Sequence, residues 1–448
     1  MDFDTWFAAQ READEAIDTM LFDLLSSSDE EAEELPKHGG SKEGRAKNID
    51  RDFPAAYAKV VKDYFSGPAS TYNERQFEQR FRTPRAVFEK IHDKLMGQWP
   101  FTGPTKNCVG TPGIHPLPRL VACFRHLAYG DAYDREDENL RMSGESVRIS
   151  CQQFCKLLKQ EFPEYLNRCP SEEEKKKVIQ ANADRGFPGC FASWDCKHFV
   201  WHRCPTKWQG QHKGHAEGGK MTLILEAIAD VDRYIWYANF GDAGSLNDIN
   251  VLDKSSIVGA MLNGSFDTTT PEYTINGIVR DWLYFLADGI YPEWAIFVKT
   301  HSDPIGDKEL TFAKRQEAVR KDVECAFGII VQKFHILKRP LRQWYIDSII
   351  DLLHACVIIH NMTIAHYSDN ILSQEQAAFE VEAKKNKDRK WPLFGGQEVS
   401  HEVILGDGVD LFAARVATFN NDIANEIQHY QLKSDLEEHI YSKYGSLN

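Results

Sequence analysis

The sequence predicts a mixed α/β unit preceded by a helical region, and three observations carry that expectation. Up to about residue 170 the apolar residues recur at helical spacing. At Gly186 the pattern changes to short apolar runs rich in β-formers, separated by turn residues. Beyond Leu310 long helical patterns return, so strands and then helices follow one another as in a mixed α/β unit.

From Asp52 to Trp99, Tyr57, Val60, Val61 and Tyr64, then Phe77, Phe81, Val87, Phe88, Ile91 and Leu95, fall at helix spacing. Pro100 to Pro118 is a Pro/Gly loop. A second helical group runs from Arg119 to Tyr129 and from Glu138 to Met142. It ends in a helix capped by Ser143 or Ser146 that reaches Phe162, with Val147, Cys151, Phe154 and Leu158 on one side. Residues 51–170 are therefore expected to be all-α. A short helix, a turn and a longer helix suit a helix-turn-helix-like DNA-binding region and equally an ordinary small bundle.

Pro170 to Asp184 reads as a charged helical connector. Cys190 to Trp201, Met221 to Asp230 and Tyr234 to Gly241 read as strands, and Asp248 to Leu262 as a helix. Trp282 to Ala287 and Trp294 to Lys299 read as further strands, Leu310 to Leu337 as a long helix, and Ile346 to His366 as a core helix. Residues 186–368 thus form the expected α/β domain.

The formal charge of −14 argues against a nucleic-acid partner until it is divided along the chain. Residues 1–50 hold 14 acidic and 5 basic side chains, residues 371–448 hold 13 and 8, and the middle balances at 40 of each. The acidity belongs to the ends, and the middle keeps basic patches that can meet phosphate. Residues 1–50 read as an acidic disordered tail and linker, with Trp6, Phe7, Ile17, Met20, Leu21 and Leu24 available for a short partner-binding helix. Residues 369–448 read as a helical acidic C-terminal tail that docks on the core or dimerises. Its run Lys384 to Lys390 is either a solvated helix or a nuclear-localisation signal. No apolar run approaches eighteen residues, and Asp2, Asp4, Glu12, Asp14 and Glu15 stand where a signal peptide needs basic residues; the expectation is a soluble intracellular protein with no membrane partner. Ten cysteines without a Cys-x-x-Cys pair predict reduced thiols in packed positions.

Asp195 lies among aromatic and small residues in Phe191 to Phe199, where an unpaired charge is costly to bury. Asp288 ends the apolar run Tyr284 to Ala287, and Glu324 stands on the following amphipathic helix. Two strand carboxylates and one helix carboxylate can converge at a sheet edge and hold two Mg²⁺ (or Mn²⁺) ions roughly 3.5–4 Å apart, as phosphodiester chemistry requires. Hard cations take such oxygen ligands. Each residue alone is as well explained by a structural salt bridge.

A zinc site is the competing metal reading, since Cys196, His198, His202, Cys204, His212 and His215 crowd one segment; Cys204, His212 and His215 are its best set. The same segment, with Lys197, Arg203, Lys207, Lys213 and Lys220, also reads as a basic loop on the DNA backbone, joined by Arg320 and Lys321. Asn247 and Asp248 follow a Gly turn, where either is a helix N-cap or an assistant to the metal site.

At these residues the chain resembles the PIF/Harbinger transposases, within the plant transposon protein group of DDE nucleases. The matching segments are Trp194 to His198, Cys204-Pro205 with Trp208 to Gln211, Leu225 to Asp230, Gly244 to Leu252, Ala287 to Pro292, Arg320 to Glu324 with Ala326 to Gly328, and Ile359 to Met362. Upstream, Leu127 to Gly130 and Arg141 to Ser143 extend the likeness, which covers about residues 45–368. Cys325 stands where the group usually has arginine, and Trp194 replaces a smaller apolar residue. The resemblance implies an RNase H-like fold with a D-D-E triad at Asp195, Asp288 and Glu324. It implies cut-and-paste transposition of double-stranded DNA at terminal inverted repeats into a short target site. It further implies a helix-turn-helix before Gly186, a nuclear location and a Myb/SANT-like partner protein. A homo-oligomer is a further expectation. The alternative is a domesticated protein that binds DNA or chromatin without cutting it.

Overall fold

Asp52 opens the first helix among the described residues. In this computed structural model, which describes residues 49, 51–103, 110, 113–214, 216–385 and 423–445, its carboxylate accepts from the Ala55 backbone N–H at the head of α1 (Phe53–Tyr64), with Pro54 in the first turn. The expectations placed on 1–48, on His215 and on 386–390 lie outside the described residues. Asn73 and Gln76 form a capping box on α2 (Glu74–Phe81), and α3 (Arg85–Leu95) follows. Phe81 and Phe88 meet Phe124 of α4 (Pro116–Tyr129) with ring centroids 6.4 and 4.8 Å away, and Phe77 packs on Phe81 at 4.5 Å. Gly130 ends α4 with φ +64°, and a Cβ there would lie 2.8 Å from the Ile336 Cα, so only glycine allows this close crossing. After α5 (Glu136–Leu140), Ser143 caps α6 (Gly144–Glu161) through the Ser146 N–H. A Ser171/Glu174 capping box opens α7 (Glu172–Asp184).

The sheet begins with β1 (Cys190–Val200). A short α8 (Gln209–His212) leads to β2 (Thr222–Ala229) and β3 (Ile235–Ala243), each antiparallel to its predecessor. Next come α9 (Asp248–Leu252) and α10 (Ser256–Leu262), then β4 (Thr269–Ile275) and β5 (Ile278–Trp282), which pair only with each other. β6 (Tyr284–Ala287) and β7 (Phe297–Lys299) join β1 in parallel and complete a five-stranded mixed sheet of order β3-β2-β1-β6-β7. The chain continues through α11 (Gly306–Lys333), α12 (His335–Lys338), α13 (Ile346–Lys385) and α14 (Glu426–Tyr444).

β2 is buried along its whole length and sorts its residues by period two. Leu223, Leu225, Ala227 and Ala229 enter a cluster shared with α4, α6, α11 and α13, while Ile228 joins Trp194, Phe285 and Phe297 on the opposite face. Residues Ile349 to Met362 of α13 are buried almost all round, since helices cover one side and the sheet the other. The stretch Ile346–Ser368 is long and apolar enough to cross a membrane, and most of it is buried inside this fold. The helices before Gly186 and the sheet therefore share one core, where the sequence suggested a separate helical region.

Four details depart from the sequence-based expectation. The helix expected over 248–262 is two helices broken before Ser256, because the Ser255 hydroxyl turns inward to donate to buried Glu226 at 2.7 Å. The ribbon β4–β5 was not foreseen; Asn276 (φ +52°) and Gly277 (φ +82°) make its turn, the pairing that tight hairpins favour. Trp282 belongs to that ribbon and not to the strand starting at Tyr284. The long helix starts at Gly306 and stops at Lys333.

Asn361, fully buried on α13, holds the sheet edge in place. Its Nδ2 donates to the Ile235 and Tyr165 carbonyls at 2.8 and 2.9 Å, and its Oδ1 accepts from the Ile235 N–H at 3.0 Å. Replacing Asn361 with alanine strands three buried backbone groups, so urea unfolding of Asn361→Ala is expected to show a loss of about 2–3 kcal/mol.

Candidate active site

Two backbone relations build the site. In the parallel pair β1/β6, Ala192 lies opposite Phe285 and Ser193 opposite Leu286. Two residues beyond that last pair stand Asp195, on β1, and Asp288, just past the end of β6. Both follow the period-two face that carries Ser193 and Leu286, which is the face α11 covers.

The second relation fixes α11. Its buried stripe of Val319, Val323, Ala326 and Ile330 lies on the sheet. The Ser193 hydroxyl donates to the Val319 carbonyl at 3.3 Å. Gln316, with no exposed surface, donates to the carbonyls of Ala287 and Val298 at 3.1 and 3.0 Å, and so ties the helix to the ends of β6 and β7 one residue before Asp288. On one flank of the stripe Asp322 is held by Arg185 at 2.5 Å and Arg233 at 3.3 Å. At 100° per residue that leaves Arg320 and Glu324 in line on the other flank, above Asp195.

Arg320 Nη1 lies 2.9 Å from Glu324 Oε1 and 3.7 Å from Asp195 Oδ2. Its Nε is buried without a hydrogen-bond partner among the described residues. Burial pushes the Asp195 carboxyl up to about 6, against the opposing pull of the Cys196 N–H and the Arg320 guanidinium, with Asp248 and Glu324 adding to the rise. Asp288 is exposed and accepts from the Gly289 N–H at 2.8 Å. Asp248, first residue of α9, is raised chiefly by burial, bonded by Cys196, lowered by His198 and raised by Asp288. Asn247 is exposed and caps α9 through the Asn250 N–H at 2.9 Å. Asp195 thus feels the charges of Asp248 and Glu324, and Asp248 feels that of Asp288.

Beneath Asp248, on the sheet face opposite Asp195, Glu226 accepts from Trp194 Nε1 at 3.0 Å and from the Ser255 hydroxyl, and burial pushes it up to about 8. Neither it nor Gln316 was singled out for a role by the sequence. The only signal for Glu226 was a charge in the apolar run Leu223 to Ala229; Gln316 carried none.

The remaining predicted residues disperse. Lys197 is half-buried on β1; Lys207, Lys213, Lys220 and Lys321 are exposed; Arg203 lies in the turn after β1, against a separate cleft. For the zinc reading, the Cys204 thiol donates to the Pro205 carbonyl and His212 Nδ1 lies 3.1 Å from the Thr222 carbonyl. Among the described residues no group of three or more His, Cys, Asp and Glu side chains stands close enough to hold a metal ion. The carboxylate set suits a hard divalent cation by chemistry, and the Arg320 guanidinium fills the space between two of its members.

Residues 163–370, which contain all four carboxylates, match the family described as plant transposon protein, and residues 57–96 match a domain of unknown function. The first match supports a transposase-like family for this part of the chain. Neither the curated proteins nor the solved structures returned a match.

The raised Asp195 carboxyl has a consequence for stability. Its folded value of about 6 exceeds the ordinary 3.8, so the folded state binds this proton more tightly and stability falls as pH rises from about 4 to 6. Above pH 6 the full penalty is present, on the order of 2–3 kcal/mol. Asp195→Asn is expected to raise the unfolding midpoint of the metal-free protein at pH 7.5, with the gain vanishing near pH 4 in calorimetry at both pH values.

Proposed function

We propose that this chain is a Mg²⁺-dependent DNA endonuclease of the Harbinger transposase type, built on an RNase H-like fold. It cuts double-stranded DNA at terminal inverted repeats and transfers the strand to a short target site. The observation that supports the reading is the β1/β6 register with α11 above it: Asp195 stands two residues beyond Ser193 and Asp288 two residues beyond its partner Leu286, and Arg320 of α11 joins Asp195 to Glu324. Asp195, Asp288 and Glu324 would hold two Mg²⁺ or Mn²⁺ ions, with Asp248 assisting. When bound, such ions stabilise the attacking and leaving oxygens of an in-line phosphodiester displacement. The chain's own residues prepare the site. Gln316 and Ser193 fix α11 against the strand ends, and Arg320 neutralises Asp195 and Glu324 until the cation replaces it. The Lys197, Lys207, Lys213, Lys220 and Lys321 ammonium groups approach the phosphate backbone. The 51–170 helices contribute duplex binding, and nuclear action with a Myb/SANT-like partner, and assembly as a homo-oligomer, belong to the same reading.

Cleavage of inverted-repeat DNA by the purified protein tests this directly. Nicking is expected in Mg²⁺ or Mn²⁺, and Asp288→Asn, whose side chain is exposed, should fold normally and lose at least about a hundred-fold in rate. Cleavage undiminished by that substitution would refute the assignment.

One observation favours a second reading, a non-cutting DNA- or chromatin-binding protein derived from such an enzyme. The Arg320 guanidinium already supplies a cation between Asp195 and Glu324. Arg320→Ala separates the two. A cutting enzyme is expected to gain Mg²⁺ affinity in calorimetric titration when the competing cation is removed, whereas the non-cutting protein takes up no Mg²⁺ in either form.

A further inference from the structure

A second cleft lies away from the carboxylates, between α4, α6 and the segment 336–348. It has two adjoining lobes of about 380 and 260 Å³ that share His126, Tyr133, Arg148, Gln152, Gln343 and Tyr345. These volumes suit a small organic group such as one unstacked nucleobase with its sugar, and are far too narrow for a duplex.

The walls are built and rigid. Beyond Val200 the β1 backbone runs on to Trp201, which bridges Leu341 in parallel; the Leu341 N–H donates to the Val200 carbonyl at 2.8 Å and the His202 N–H to the Leu341 carbonyl at 2.9 Å. Trp201 Nε1 donates to the Gln343 carbonyl at 2.9 Å. This stitching holds the next two residues, Trp344 and Tyr345, at 55% and 69% exposure, an unusual cost for two large rings side by side. His126 is 8% exposed and stacked on Tyr133 with centroids 4.3 Å apart, yet its Nε2 has no hydrogen-bond partner among the described residues. Burial lowers it to about 4, so the ring is neutral at pH 7 and leaves a buried, unpartnered nitrogen in the wall of the cleft.

The charge is one-sided. Arg148, Arg203, Arg339 and Arg342 line the larger lobe against the single carboxylate of Asp131. Asp131 is already paired with Arg135 and lies 3.4 Å from Arg339 Nη2. Arg203 and Arg342 make no ion pair or hydrogen bond among the described residues. Arg148 and Gln152 of α6, joined by a hydrogen bond of 2.8 Å from Arg148 Nη1 to Gln152 Oε1, form one wall of the cleft.

We infer that this cleft is a binding site for single-stranded nucleic acid, with an unstacked base against Trp344 and Tyr345, its edge toward His126, and the flanking phosphates on Arg203 and Arg342. Exposed aromatic faces combined with unpaired arginines are the means by which single strands are held without sequence preference. The site does not depend on the carboxylates or on cutting. Trp201 stands six residues from Asp195 on one continuous strand, roughly 20 Å away.

The test is fluorescence anisotropy of labelled oligothymidylate of twelve residues with the full-length protein in EDTA, which keeps the result apart from any failure of metal-dependent cleavage. Wild type and Asp288→Asn should bind alike, Trp344→Ala should weaken binding about ten-fold or more, and Arg203→Ala with Arg342→Ala should lower the salt dependence as phosphate contacts are lost. Ultraviolet cross-linking of a bromouracil oligonucleotide to the unaltered protein should label Trp344 or Tyr345, which needs no variant to fold. Equal binding by Trp344→Ala and wild type, or cross-links confined to other regions, overturns the proposal. So does competition by a blunt duplex as effective as by the single strand, or by a mononucleotide or phosphopeptide as effective as by the oligonucleotide.

Discussion

The parallel register of β1 with β6 is the constraint on which the rest of this structure depends. A carboxylate brought up inside an apolar strand has a cost, and here the cost is visible in the raised Asp195 carboxyl. It is tolerated because α11 cannot rotate. Ser193, Gln316 and the Arg185–Asp322 pair hold the helix at three separate points, so the Arg320 guanidinium is delivered to the same place every time. A free surface arginine would lose much of that benefit to side-chain entropy and solvent screening. Asp195, Arg320 and Glu324 are therefore one electrostatic unit positioned by hydrogen bonds that never touch it.

That unit sits on a core the whole chain shares. The helices upstream of Gly186, the sheet and α13 bury their apolar faces together, and α13 lies between α6 and the sheet. Interiors packed to this density transmit strain. The strand that carries Asp195 also runs on to Trp201, which bridges the segment bearing Trp344, so one continuous strand joins the carboxylate region to the cleft.

Much of this was legible in the sequence, for identifiable reasons. Asp195 stood out as a charge within an apolar run and Asp288 as one ending such a run, and the strands themselves followed from their β-rich composition, though their order in the sheet did not. Glu324 gained a role only from its company, since a glutamate on an amphipathic helix is ordinary. Gln316 was invisible because nothing local distinguishes a buried glutamine from a solvated one; its partners are carbonyls supplied by strands far away in sequence. The β4–β5 ribbon carried its signal openly in Asn276-Gly277, but its strands alternate weakly and Thr269 to Trp282 lacks the apolar density that marks the other strands. The break before Ser256 depended on a long-range bond to Glu226, which local propensity does not anticipate.

α14 has a consequence of a different kind. Leu432, Leu436 and Ile440 are fully buried against Phe312 and Val319 of α11 and Leu286 of β6. Asp435 and Glu437 pair with Arg280 and with His301, the latter at 2.6 Å. α14 is thus the back wall of the helix that carries Glu324. During synthesis α11 leaves the ribosome roughly a hundred residues ahead of the surface it packs on, at rates of about 5–20 residues per second. For several seconds α11, and the Glu324 it carries, lacks the apolar surface that Leu432, Leu436 and Ile440 supply.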